Sequence, residues 1–145
     1  MEIGKLHVIL VHFPIALALS AVLADVLYGI TRNEFFRISG MYCLILAAIA
    51  IIPTVYTGWE MLEMEESKLS PVYLSIAHTH RNLAITSLVL VLSAAIVRIS
   101  QKNHLKKWWI AVYAVLIVLI TGFISVTGHY GGMLSLGKDY LSGLF

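Results

Sequence analysis

Four long runs of apolar residues alternate with short polar joints along the chain, over approximately 7–30, 38–59, 72–97 and 108–128. Each has about 20 residues or more, the number a helix needs to cross a hydrocarbon core about 30 Å thick. The joint at 31–37 is short enough to force an antiparallel hairpin. The pattern predicts an all-α fold, an integral membrane four-helix bundle running up-down-up-down, as one domain over 1–145. Pro14 predicts either a helix start close to Phe13 or a bend beside His12. Pro53 predicts a bend in the second span, and Ser70-Pro71 reads as the cap and first position of the third. The acidic joint at 60–70 suits a short interfacial helix. Glycines around His129 predict a backbone turn where the fourth span ends, with the tail 133–145 folding back over that face.

Composition strengthens this reading. The chain is 59% hydrophobic and 12% charged, against about 25% charged in a soluble domain. It cannot cover a water-exposed surface, so its first partner is the lipid bilayer. The first run is too long for a signal-peptide core and has no basic lead, so it is expected to stay in the mature protein. The lone Cys43 reads as a small apolar packing residue. A net charge of +2 argues against nucleic acid. Its distribution says more: Arg32, Arg37, Arg98, Lys102, Lys106 and Lys107 crowd the loops 31–37 and 98–107, while acidic residues gather at the other end. That bias predicts a multi-pass cell-membrane protein with those two loops cytoplasmic and both termini extracytoplasmic. His104 then lies on the cytoplasmic surface. Asp25, near the cytoplasmic end of its span, calls for a structural partner such as Arg98 or Arg37.

The chemistry concentrates in Ala77-His78-Thr79-His80-Arg81-Asn82, which opens the third span. The topology gathers His12, Glu60, His78 and His129 at the same end of the bundle. Residues 78, 82, 85, 89, 92 and 96 share a helix face, which is taken here as the inward one. His80 lies about 200° around from His78, so the two cannot face the same core; His80 reads as facing headgroups or a neighbouring helix, and His7 as interfacial. His12 and His78 sit at similar depths, roughly 8–9 Å into their helices. Two helices then offer the axial histidines of haem b. Arg81 and His129 would receive propionates, and Asn82 would orient an imidazole. A competing geometry gathers His12, His78 and His129, with Glu60, His80 or water, around Zn or Cu. The third reading is a structural polar cluster that stitches helix ends together. No HExxH, CxxC or serine–histidine motif is present, so nucleophilic catalysis has no support.

The motifs also carry a likeness. Residues 11–17 (Val-His-Phe-Pro-Ile-Ala-Leu), His78 with Asn82, the run Gly128, His129, Gly131, Gly132, Leu134 and Gly137, and Asp25 together resemble the DUF2231 family of membrane proteins over nearly the whole chain. His7-Val8 stands where that family often has His-Pro, Glu60 where Asp is common, and Ser135-Leu136 where Val-Tyr is usual. The resemblance implies four membrane helices and a respiratory context, since some members are fused to Rieske-type or cytochrome-like domains. The resulting expectation is a haem b protein that passes electrons between a membrane quinol and an extracytoplasmic carrier, an electron-transfer protein more than a bond-making enzyme. A homodimer through the small residues of the second span, among them Gly40, Ala47 and Ala48, is left open.

Overall fold

The computed structural model describes residues 3–102 and 104–140. Five α-helices form it: α1 (Ile3–Leu10), α2 (His12–Thr31), α3 (Glu34–Glu65), α4 (Pro71–Ser100) and α5 (Lys107–Leu136). No strand occurs among the described residues. α1 and α2 are one span interrupted at Val11, because Pro14 has no N–H to give the Leu10 carbonyl. The interruption is local, and Val11 keeps helical angles. Among the described residues, four helices are therefore long and apolar enough to cross a membrane: Leu6–Thr31, Glu34–Lys68, Pro71–Ser100 and Lys107–Leu136.

Local chemistry sets the turns. Arg32 takes a left-handed φ of 56° and returns its N–H to the Tyr28 carbonyl, ending α2. Asn33 then caps α3 by accepting from the Phe35 N–H at 3.0 Å. Pro71 occupies the first position of α4, as expected, although the Ser70 side chain makes no capping bond. Two expectations change. α3 does not stop near Trp59 but runs through the acidic joint to Glu65, ending in a single 3-10 turn, Glu66–Lys68. α5 likewise passes through the glycines around His129 and ends only at Gly137, with φ 99°. Two of those glycines serve close packing: a Cβ on Gly131 would fall 3.2 Å from His80 Cε1, and one on Gly132 would fall 2.7 Å from the Tyr140 ring. The tail does double back as far as Tyr140; residues 141–145, in the remainder of that expected fold-back, lie outside the described residues.

α2 packs along α3, α3 along α4 and α4 along α5, while α2 and α5 touch little and α1 lies on α3. Ala18, Ala21, Ala47 and Ala94 are essentially without exposure where the helices meet. Small side chains bring the backbones close, which is what holds helices together when lipid is as apolar as leucine. Large apolar residues such as Leu23 and Val118 face outward.

At the end that carries the basic loops, all four spans meet on one guanidinium. Arg98 of α4 is 3% exposed. Its Nη1 donates to Asp25 Oδ1 of α2 at 2.6 Å and to Tyr113 Oη of α5 at 3.0 Å, and its Nη2 donates to the Arg37 carbonyl of α3 at 2.8 Å. Tyr113 in turn donates to Asp25 Oδ2 at 2.7 Å. The partner expected for Asp25 is therefore present. Gly40 makes room for the pair, since a Cβ there would meet Asp25 Oδ1 at 2.9 Å. Opposite charges in contact, with their remaining valences filled, make such a cluster tolerable inside a membrane.

Candidate functional site

At the other end of the bundle the structure turns α4 the opposite way from the expected face. Ala77, Ser87, Val91, Ala94 and Arg98 are buried, and His80 lies on their side of the helix. His78 therefore faces outward, about one-third exposed, with Nε2 3.5 Å from Glu66 Oε1. Asn82 is exposed as well. The rule that His78 and His80 cannot share a face holds; the residue that turns inward is His80.

His80 meets His7. Their ring centroids are 6.5 Å apart, with planes at 84°. Each ring is held the same way: His7 Nδ1 lies 2.9 Å from the Thr54 carbonyl, and His80 Nδ1 lies 3.0 Å from the Thr127 carbonyl. A carbonyl can only accept, so Nδ1 carries the proton in both rings and Nε2 keeps its lone pair. Each ring also rests on a glycine. A Cβ on Gly58 would fall 2.7 Å from His7 Cε1, and one on Gly131 would fall 3.2 Å from His80 Cε1. Threonine hydroxyls nearby are occupied by their own helices: Thr57 donates to the Pro53 carbonyl and Thr127 to that of Phe123.

The other residues singled out from the sequence are dispersed. His12 is exposed, its Nδ1 bonded to the Val8 carbonyl of its own chain segment at 2.9 Å. His129 is exposed and bonds Tyr140 Oη at 3.1 Å. Glu60 is half-buried. The structure does not gather His12, His78, His129 and Glu60: among the described residues no group of three or more His, Cys, Asp or Glu is placed to hold a metal ion. Arg81, next to His80, lays its guanidinium 5.0 Å over the Trp59 ring. Its Nε is buried with no hydrogen-bond partner among the described residues. Trp59 is itself anchored by an indole N–H bond to Glu63.

The residues fit the haem that the family resemblance implies. Two neutral imidazoles on opposite sides of one metal ion have centroids about 6 Å apart, from bonds of about 2 Å and roughly 1 Å more to each ring centre. The observed pair matches that spacing, each Nδ1 is held by a carbonyl so that Nε2 keeps its lone pair, and the buried Nε of Arg81, one residue along from His80, has no hydrogen-bond partner among the described residues.

From the sequence His80 enters only as an alternative fourth metal ligand and His7 only as an interfacial residue, because every face of a membrane helix is apolar and the inward one is not marked by hydrophobicity. The available signal was the stripe of small residues on α4 (Ala77, Ala84, Ser87, Ala94), which carries both His80 and Arg98. No curated protein and no solved structure matches the chain. The family model for predicted membrane proteins DUF2231 matches residues 5–139, and with four membrane-length helices beneath that match, the chain belongs to this family.

Proposed function

We propose that the protein is an electron-transfer component that holds one haem b between His7 and His80 at the histidine end of the bundle. The facing imidazole pair carries this reading: two rings 6.5 Å apart, each with its Nδ1 proton committed to a carbonyl. Haem b held in this way supplies a one-electron couple with both axial positions filled, which favours electron transfer over bond-making. The Thr54 and Thr127 carbonyls fix the tautomer and aim of each ring and raise its basicity. Gly58 and Gly131 let the rings seat against α3 and α5. Arg81, steadied on Trp59, offers its free Nε to a carboxylate of the group. The excess of Lys and Arg in the loops 31–37 and 98–107 supports a cell-membrane orientation with those loops cytoplasmic. The histidine end then faces outward, towards an extracytoplasmic carrier, with a membrane quinol as the donor.

The test is an absorption spectrum of the protein in mild detergent, oxidised and dithionite-reduced, with haem reconstitution and a metal assay on the same sample. A sharp reduced band at about 560 nm is expected, as for haem with two nitrogen ligands. It should vanish in His7→Ala and His80→Ala and survive in His12→Ala and His78→Ala. A colourless reconstituted sample, or a band lost in the second pair and kept in the first, overturns the assignment. Stoichiometric Cu or Zn in its place would transfer the same two ligands to a bare ion.

A further inference from the structure

The two histidines are alike in more than chemistry. Each is 47 residues from the carbonyl that holds it. His7, Thr54 and Gly58 reappear as His80, Thr127 and Gly131, all at a constant offset of 73 residues. The offset continues through the fold. It relates the starts of α3 and α5 at Glu34 and Lys107. It relates core positions of matching burial, Ala21 with Ala94 (both 0% exposed) and Ile51 with Ile124 (6% and 5%). It also relates the two members of the buried ion pair, Asp25 and Arg98, and the residues beside them, Gly40 and Tyr113. Few other positions are identical between the halves, which hides the relation from sequence alone.

Two residues related by a twofold operation can touch each other only where the axis passes between them. His7 meets its counterpart at one end of the bundle, and Asp25 meets its counterpart at the other. An axis through both points runs along the length of the bundle, which is the membrane normal. The two hairpins cross in the same direction, as parallel repeats about such an axis must. The halves have diverged at two places: at the ion pair, where one half keeps a carboxylate and a glycine and the other a guanidinium and a tyrosine, and between the halves, where α3 lies along α4 but its counterpart contact, α5 with α2, is slight.

We infer that the histidine site is two equivalent half-sites facing each other across an internal twofold axis. It therefore takes a ligand whose single metal centre presents two opposite, identical coordination positions. A metalloporphyrin leaves free those two positions, whereas a tetrahedral ion would need further donors that the axis does not bring. The ligand class rests on the haem reading above; the axis does not, and the two are tested separately.

For the axis, the four residues at the ion pair are exchanged between halves in one variant, Asp25→Arg, Gly40→Tyr, Arg98→Asp and Tyr113→Gly. If the halves are equivalent, the new guanidinium at 25 reaches the Ile110 carbonyl, the counterpart of Arg37. Asp25→Arg or Arg98→Asp alone should each lower the melting temperature by about 10 °C or more, and the full exchange should recover at least half of that loss. An exchange no more stable than the single variants counts against the axis. If the fourfold variant does not fold, single histidine variants decide. With haem as the probe, His7→Ala and His80→Ala should weaken binding at least tenfold, by factors within about threefold of each other. They should also give the same five-coordinate spectrum. Full low-spin binding retained by one of them overturns the equivalence. A wild-type chain that binds no haem sinks the ligand class and leaves the axis to the exchange.

Discussion

Arg98 is the residue whose loss should be felt most widely, because one guanidinium serves four helices. In Arg98→Leu the Asp25 carboxylate keeps the Tyr113 hydroxyl but loses its counter-charge, with its side chain only 16% exposed. Breaking a buried ion pair from one side costs about 3–5 kcal/mol, because the surviving charge stays buried without compensation. The Arg37 carbonyl loses a donor too. Hydrogen bonds inside membrane proteins average only about 0.6 kcal/mol, so that contribution is minor. The charge dominates. Removing both charges together, in Asp25→Leu with Arg98→Leu, should therefore cost less than Arg98→Leu alone, about 0–2 kcal/mol, because nothing ionic is left in the membrane. The double-mutant cycle then returns a coupling energy of a few kcal/mol. Reversible unfolding in mixed micelles, titrated with a denaturing detergent and read by circular dichroism, measures all four corners. Single variants that each cost under about 1 kcal/mol, or a double variant equal to their sum, would refute the assignment of the pair as the central pin of this end.

Other outcomes follow from the same geometry. Tyr113→Phe removes one hydroxyl from the cluster and should cost about 1–2 kcal/mol in the same unfolding assay, well below Arg98→Leu. Gly58→Ala should drive the added methyl into His7 and break its bond to Thr54, costing about 1–3 kcal/mol. Gly128→Ala, with nothing within 4 Å of its Cβ, should be neutral or stabilising by up to about 1 kcal/mol. Thermal melting distinguishes the two glycines. His12→Ala removes an exposed ring that bonds only the adjoining turn, so its melting temperature should stay within a few degrees of wild type.

The membrane class, the number of spans and their alternation were legible in the chain because they rest on run length and composition. Nothing apart from a helix satisfies its backbone within a span of 20 apolar residues. Pro14 and Pro71 act through their own backbone geometry, and the interruption and the helix start they mark were readable for that reason. Asp25 announced its need for a partner, since an isolated carboxylate has no place in lipid. Rotation about each helix axis was not legible. In water the polar side of a helix points outward, but in a bilayer both sides are apolar, and packing of small residues decides which one turns in. His80 and His78 stand two positions apart, and choosing between them required the contacts of Ala77, Ser87, Val91 and Ala94 with the neighbouring helices. The glycines near His129 look like a turn by composition, but Gly131 and Gly132, pressed against His80 and Tyr140, are places of close approach within a continuous helix. The 73-residue correspondence needed tertiary structure for the same reason. It is carried by a few contacting residues, and contact is what sequence spacing alone does not report.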